Sequence, residues 1–193
     1  MLSLHLLVRN EELLLPLLLT TVQPLVQEMV IVDTGSVDRT VEVAMRFTPA
    51  VYKVELNHDF SAARNYGLGK STQPWVLWLD ADELPNQGLC QFIRDFCAVR
   101  PVGVEAVSIV RHNLVGGQEI GDRTWERHVR LFRNHFRFTG RIHERLNLNG
   151  VVPLEAPPFC IIQHHKTYSR QAAQNERYME WEEQRAIVGR QAC

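Results

Sequence analysis

Two aspartates, Asp80 and Asp82, stand two positions apart directly after the apolar run Trp75–Leu79. If the extended backbone continues beyond that run, their side chains project to the same side. Two unit charges about 4 Å apart repel by on the order of 4 kcal/mol at an effective dielectric of about 20, which a bound cation would offset. Hard cations such as Mg²⁺ and Mn²⁺ prefer oxygen ligands, so the pair predicts a metal site. The alternative is that Asp82 or Glu83 caps the following helix.

Asp33 and Arg64 are two further candidates for binding chemistry. Asp33 closes an earlier apolar run, and Arg64 falls in the first turn of a helix that Ser61 is expected to cap. A cation at a helix N-terminus opposes the helix dipole, whereas a phosphate there would satisfy both the free amides and the arginine. Arg64 therefore predicts an anion site, and the alternative is a surface pair with Asp59 or Glu55.

The elements that must position these residues alternate between strand and helix along the first hundred residues. Apolar runs predict strands, and helical spacing predicts helices after each of them. The predicted strands are Leu2–Val8, Met29–Val32, Val51–Leu56 and Trp75–Leu79, and the predicted helices begin near Asn10, Val41, Ser61 and Leu84. This order indicates a doubly wound, mostly parallel sheet with helices on both faces, whose ligands bind beyond the carboxyl ends of the strands.

The pattern changes after Pro101. Val102–Val110 is predicted to be a strand, Trp125–Arg133 alternates as an antiparallel strand does, and a polar amphipathic helix is predicted from Ser169 onward. We therefore expect one domain over residues 1–193, with a nucleotide-binding half at 1–100 and a mixed half at 101–193 that includes the C-terminal helix and is expected to shape an acceptor site.

Composition narrows the class of protein. Lys and Arg number 21 against 22 Asp and Glu, so no charge excess favours nucleic acid as a partner. The apolar stretch Leu13–Leu19 is too short to span a bilayer, and the first residues lack the basic start of a signal peptide. We expect a cytoplasmic protein, and peripheral association with a membrane face is compatible with this expectation. Without CxxC spacing, Cys90 and Cys97 are expected to be reduced core thiols.

Several motifs in register resemble those of the family 2 glycosyltransferases with a GT-A fold, and most closely a small bacterial branch. These motifs are VRNEE, IVDTGSVDRT, DFSAARNYGL, WVLWLDADE, RLFRN and GRIHE, followed by a late histidine motif. The resemblance covers roughly residues 2–180. It implies a GT-A-type α/β fold with a mixed antiparallel C-terminal half, and a hexosyltransferase-type enzyme with a nucleotide-sugar donor, a UDP-sugar being favoured.

The resemblance also implies roles for the residues of the donor site. Asp33 is expected to contact the base or ribose, with Val8, Arg9 and Asn10 lining the same nucleotide pocket. Arg64 is expected to face the diphosphate.

The cation, Mn²⁺ or Mg²⁺, has its own implied ligands. Asp80 is expected to reach the ribose and the metal, and Asp82 to coordinate the metal bound to the diphosphate. His165 has the family spacing to the tyrosine three positions later, and is expected to complete the metal shell. His164 is an equal geometric rival if the strand register differs by one residue.

The mechanism implied by the family is inverting transfer, in which a carboxylate deprotonates the acceptor hydroxyl. Glu144 in GRIHE is the candidate base, and the alternative is that it pairs with Arg141 or Arg145. Arg130 is expected to meet the donor phosphates or the acceptor, and the alternative is a solvated arginine face.

Other classes of function stay open. One is a catalytically inactive nucleotide-sugar-binding module of the same fold, and another is a nucleotidyltransferase or metal-dependent phosphohydrolase. Val37 stands where the family usually has a small polar residue. The chain ends soon after its last predicted helix, so recognition of an unknown glycan, lipid or protein acceptor is expected to depend on a partner or a homo-oligomer.

Overall fold

A computed structural model describes residues 1–119 and 124–166 of the chain. The helix predicted from Ser169 onward lies outside these described residues, and so does the tyrosine of the late histidine motif.

The first half alternates between strands and helices as predicted. Its strands are β1 (Leu2–Val8), β2 (Glu28–Asp33), β3 (Val51–Lys53) and β4 (Trp75–Leu79). Its helices are α1 (Leu15–Val22), α2 (Thr40–Met45), α3 (Phe60–Leu68) and α4 (Gln87–Val99). A 3₁₀ turn at Gln23–Leu25 extends α1, and a short strand, β5 (Glu83–Pro85), precedes α4. Among the helices in the described ranges, none has the length and apolarity needed to cross a bilayer.

The second half consists of strands. They are β6 (Ala106–Val115), β7 (Trp125–Arg133), β8 (Arg137–Thr139), β9 (Arg145–Asn147), β10 (Leu154–Glu155) and β11 (Ile161–Lys166). The main sheet has the order β3-β2-β1-β4-β7-β6-β11-β5, with β10 beside β6, while β8 and β9 form a separate pair. Strands β1 to β4 pair in parallel, and β7 is antiparallel to both β4 and β6.

The order of this sheet determines where the site lies. Only residues 80–82 separate β4 from β5 along the chain, yet β5 lies at the far edge of the sheet, beside β11. The sheet must curl to bring these strands together, so the acidic segment bridges the opening of the curl. The predicted α/β class with a mostly parallel, partly antiparallel sheet is confirmed.

Several predicted boundaries are wrong, each for a local reason. Helix α1 begins at Leu15 and not near Asn10, whose backbone is left-handed (φ 56°) and therefore outside the helical region. Helix α3 is capped by Asp59, which accepts the amide hydrogen of Ala62, and not by Ser61. Helix α4 begins at Gln87 because Asn86 is its N-cap.

The core lies on both faces of β1, four of whose leucine and valine side chains are fully or almost fully buried. On one face α4 packs through the edge-to-face pair of Trp75 and Phe96, whose centroids are 4.9 Å apart. On the other face the buried His5 ring lies beneath α3. Residue 67 of this helix is glycine, and any larger side chain there would collide with the ring. Helix α3 is thereby held close to the sheet. The described cysteines Cys90, Cys97 and Cys160 are free thiols, as predicted for the first two.

Candidate functional site

The segment after β4, residues 80–83, folds as a tight turn that we call the acidic turn. The Glu83 amide donates to the Asp80 carbonyl at 3.0 Å, and the Asp80 amide donates back to Glu83 Oε2 at 3.0 Å. The Glu83 side chain is fully buried. The expectation that Glu83 caps α4 is therefore wrong, because Asn86 Oδ1 accepts the Leu89 amide at 2.8 Å and performs that role.

The carboxylate of Asp80 is held between two arginines. Arg64 Nη2 lies 3.1 Å from Asp80 Oδ1, and Arg130 Nη2 lies 3.6 Å from Oδ2. Removal from water would raise the pKa of the Asp80 carboxyl, but the charges of Arg64 and then Arg130 outweigh this and hold the pKa well below its ordinary value. Asp80 is therefore a carboxylate at any physiological pH.

Arg64 is almost entirely buried and contacts two carboxylates at once. Besides Asp80, its Nε donates to Glu144 Oε1 at 2.7 Å. The guanidinium lies over the ring of Trp78, with its carbon 4.5 Å from the ring centroid. The alternative, a surface pair of Arg64 with Asp59 or Glu55, is wrong, because Arg64 is buried and its ion pairs are with Asp80 and Glu144. Within the described residues Arg64 Nη1 is buried without a hydrogen-bond acceptor, so this arginine retains a donor for a ligand.

Arg130 enters the site through an irregularity in β7. Val107 pairs with Leu131 and Ser108 pairs with Val129, so Arg130 is an extra residue between two rungs of the ladder. Simple alternation along the strand does not apply at this position. The side chain is 2% exposed, and the expectation of a solvated arginine face is wrong for Arg130.

The contacts of Arg130 tie it to the acidic turn. Its Nη2 forms a close ion pair with Glu83 Oε1, and its guanidinium carbon lies 4.1 Å from the centroid of the Trp78 ring. Trp78 therefore serves as a common platform for Arg64 and Arg130, the same two arginines that hold Asp80.

Three residues that were not predicted, Arg111, Asn113 and Glu126, extend the site into the second half. Arg111 lies 3.4 Å from Glu83 Oε1 and donates to Glu126 Oε2 at 2.8 Å, and Asn113 Nδ2 donates to the same oxygen at 2.9 Å. Burial would raise the pKa of Glu126, but these hydrogen bonds outweigh it and lower the pKa to about 2. Alternating polar residues within the apolar strands β6 and β7 were the available signal.

His164, and not the side chain of His165, is joined to Asp82 by the described contacts. His164 Nε2 lies 3.5 Å from Asp82 Oδ1, and His164 Nδ1 lies 2.8 Å from Asn113 Oδ1. His165 donates its backbone amide to the Asp82 carbonyl at 3.0 Å. Neighbouring side chains on a strand point to opposite faces, so the two histidines cannot both face Asp82 from β11.

These residues fit a divalent cation only if a ligand supplies the remaining oxygens. Within residues 1–119 and 124–166 there is no group of three or more His, Cys, Asp or Glu side chains that could hold a metal ion. Mg²⁺ characteristically binds through one or two carboxylates together with substrate phosphates and water. Asp82 with His164 suits that kind of site, whereas the oxygens of Asp80 are directed at arginines.

The predicted nucleotide-pocket residues lie at the ends of β1 and β2. Asp33 is 1% exposed, and its carboxylate accepts the amides of Gly35 and Ser36 at 3.2 Å. Asn10 Oδ1 accepts the Val37 amide at 2.9 Å. Asp33 and Asn10 thus hold the turn after β2 from two sides. Val8 is buried next to this turn, while Arg9 is exposed. Their contacts with a nucleotide stay a prediction.

Comparison with known proteins places this geometry in context. A family model described as Glycosyl transferase family 2 matches residues 3–169. The lipopolysaccharide core biosynthesis glycosyltransferase LpsC of Rhizobium meliloti is 24% identical over 134 residues, which are 65% of this chain and 48% of LpsC. A TPR repeat-containing protein of Synechococcus elongatus is 43% identical over 81 residues, 42% of this chain and 20% of that protein. The chain thus spans about half of the length of LpsC and about a fifth of the length of the TPR repeat-containing protein.

The fold of this chain is also found among solved structures. A crystal structure of residues 1–349 of S. aureus TarS superposes with a TM-score of 0.53 at 13% identity, covering 86% of this chain and 60% of that one. The predicted GT-A type of fold is confirmed by this likeness together with the sheet order.

Proposed function

The chain belongs to glycosyl transferase family 2, and from that premise we propose that it transfers a sugar from a nucleotide-sugar donor to an acceptor hydroxyl. A UDP-sugar is the favoured donor. The observation that carries the proposal is the acidic turn, where two buried arginines hold Asp80 while Asp82 faces His164.

The charge of the site supports a requirement for metal. Three arginines, Arg64, Arg111 and Arg130, contact four acidic side chains, so these arginines bring no positive charge in excess of the acids that they contact. These carboxylates are Asp80, Glu83, Glu126 and Glu144, with Asp82 beside them. A diphosphate would add further negative charge to a partly buried cluster, which is unfavourable unless a cation accompanies it. A divalent cation entering with the donor removes this penalty.

The proposed ligands of the cation are Asp82 and His164, in place of the His165 expected from the family spacing. When bound, a divalent cation stabilises the negative charge that develops on the departing diphosphate. Arg64 has one buried nitrogen without an acceptor in the described chain, and it would donate to a phosphate oxygen. Asp80 then remains between its arginines and faces the ribose.

Asp33, Val8, Arg9 and Asn10 are the proposed wall of the nucleoside pocket. They stand at the carboxyl ends of β1 and β2, where ligands bind in open α/β sheets. Asp33 and Asn10 shape this pocket by holding the turn after β2.

Glu144 is the proposed base of an inverting transfer. It would take the proton of the acceptor hydroxyl as that oxygen attacks the anomeric carbon from the face opposite the diphosphate. Its side chain is 12% exposed, and the hydrogen bond from Arg64 fixes its position relative to Asp80. The acceptor is a glycan, lipid or protein hydroxyl, and we place the reaction in the cytoplasm.

A thermal-shift experiment tests the proposal. UDP with Mn²⁺ is expected to raise the melting temperature of the wild-type chain, whereas Asp82→Ala abolishes the gain. Asp95→Ala, which changes an exposed aspartate on α4, is the matched control and should retain the gain in full. A screen of nucleotide sugars for metal-dependent hydrolysis then identifies the donor. If no nucleotide shifts the wild-type melting temperature in the presence of Mn²⁺ or Mg²⁺, the proposal is wrong.

A further inference from the structure

Asn113 lies between His164 and Glu126, one of its amide atoms directed at each. We propose that Asn113 is a positioning residue, which fixes the hydrogen of His164 on Nδ1 and so presents the lone pair of Nε2 to the cation beside Asp82. This inference rests on the proposed function, since the cation enters with the donor.

The orientation of the Asn113 amide follows from its partner. Glu126 is a carboxylate and can only accept, so the Asn113 atom 2.9 Å from Glu126 Oε2 must be the donating Nδ2. The other amide atom, Oδ1, can only accept and lies 2.8 Å from His164 Nδ1. His164 Nδ1 must therefore carry a hydrogen. A neutral imidazole has one such hydrogen, which leaves Nε2 without one.

The backbone holds this arrangement in register. Asn113 and His164 are directly opposite each other on β6 and β11, so their side chains share a face of the sheet. On the other side of β6, Arg111 is opposite Glu126 of β7 and donates to the same oxygen that Asn113 uses. Arg111 also reaches Glu83, so the network that orients His164 is anchored in the acidic turn.

The consequence concerns affinity for the cation. A hydrogen on His164 Nε2 would point toward Asp82 and occupy the position that the metal needs. A metal-bound histidine almost always donates its other nitrogen to a carbonyl or carboxylate, and loss of that partner typically reduces metal affinity by about 10–100-fold. Asn113 supplies a neutral carbonyl that accepts from His164 Nδ1, and Glu126 fixes the Asn113 amide by accepting from its Nδ2.

A spectroscopic experiment tests the tautomer without any activity. In the ¹⁵N-histidine-labelled wild-type chain at about pH 8, where an ordinary imidazole is neutral, long-range ¹H–¹⁵N spectra should show His164 with the hydrogen on Nδ1. The signals are assigned by their loss in His164→Asn. Asn113→Leu should shift His164 toward the Nε2–H form. A wild-type spectrum with the hydrogen on Nε2, or an unchanged tautomer in Asn113→Leu, would overturn the inference.

A metal titration tests the consequence. The Mn²⁺ concentration that gives half of the UDP-dependent thermal shift should rise about 10–100-fold in Asn113→Leu. Asn113→Asp keeps an acceptor for His164 Nδ1 but places a second carboxylate beside Glu126. This variant should therefore be less stable than the wild-type chain, while its Mn²⁺ midpoint should not rise. Gln163→Ala, on the exposed neighbour of His164, is the matched control.

The outcomes separate this inference from the function on which it rests. If Asn113→Leu lowers the metal-free melting temperature but leaves the Mn²⁺ midpoint unchanged, Asn113 is only structural and the inference is wrong. If the wild-type chain shows no shift with UDP and Mn²⁺, the proposed function fails, and the tautomer spectrum alone decides whether Asn113 holds the ring.

Discussion

Arg64 donates from Nε to Glu144 Oε1 at 2.7 Å, although the two residues are 80 positions apart in the chain. The same guanidinium reaches Asp80, so one buried cation joins the acidic turn to the candidate base. The loop that carries Glu144 is also held against the start of α3, where the Phe60 amide donates to the Arg141 carbonyl oxygen at 2.9 Å.

Glu144→Gln should separate donor binding from transfer. Glutamine retains an oxygen that can accept from Arg64, but it cannot take up the acceptor proton. We expect the UDP and Mn²⁺ thermal shift to persist, while acceptor-dependent donor consumption falls by about 10²–10⁴-fold, the usual contribution of a general base. Glu155→Gln changes an exposed glutamate and should leave both measurements unchanged. Full turnover in Glu144→Gln would remove Glu144 as the base.

The buried pair of Glu83 and Arg130 should behave as one unit in a double-mutant cycle. Glu83→Gln removes the negative charge beside Arg130, and breaking a buried pair in this way typically costs about 3–5 kcal/mol. Arg130→Met leaves Glu83 without its closest cation and should cost a similar amount. The free energy of unfolding, measured with urea, should fall by less in the double variant than the sum of its losses in the two single variants. Strict additivity would show that the pair is not coupled.

Gly67→Ala should destabilise the chain through a clash with the sheet. A Cβ at this position would lie 2.3 Å from His5 Cε1 and 2.7 Å from Val32 Cγ2. Both neighbours are fully buried, so relief requires α3 to move, at a cost of about 1–3 kcal/mol. Gly69→Ala is the matched control, because the nearest atom to its Cβ would be Tyr66 O at 3.4 Å. Equal unfolding free energies for the two variants would contradict this prediction.

His5 should make the chain sensitive to acid. Burial, and then the charge of Arg64, lower the pKa of His5 to about 3 in the folded chain. The unfolded chain has an ordinary histidine pKa of about 6.5, so between these values it binds more protons than the folded chain. The free energy of unfolding should therefore fall as pH drops through this window, by up to about 1.4 kcal/mol per pH unit.

Urea unfolding from pH 7 to pH 4.5 measures the effect of His5. The slope against pH should be smaller in His5→Leu than in the wild-type chain, whereas His135→Leu, which alters an exposed histidine, should keep the wild-type slope. Equal slopes in all three chains would mean that His5 does not govern the acid response.

Local patterns in the sequence predicted most of the first half and the centre of the site. Trp75–Leu79 and Trp125–Arg133 are strands with the predicted bounds, because apolar runs and strict alternation are strong signals. Asp80 and Arg64 meet because strand ends and helix starts converge at one edge of a parallel sheet. That convergence follows from topology and could be predicted.

The remaining residues depend on pairings that local patterns do not encode. Arg111, Asn113 and Glu126 reach the acidic turn only because β11 lies between β6 and β5. Arg130 enters through an extra residue in β7, which alternation cannot reveal. The sequence favours a cap for the following helix at Glu83, but Glu83 belongs to β5, which pairs with β11, and the helix begins only after Asn86.

The position of β5 also has a consequence for biosynthesis. Asp82 and Glu83 are made early, but β5 takes its place in the sheet by pairing with β11, the final strand of the described residues. Such non-local contacts form late, because the loop between them must close first. A nascent chain released before Ile161 could already join Asp80 to Arg64 but would lack His164. We therefore expect competence to bind nucleotide and metal to be acquired only after β11 has been made.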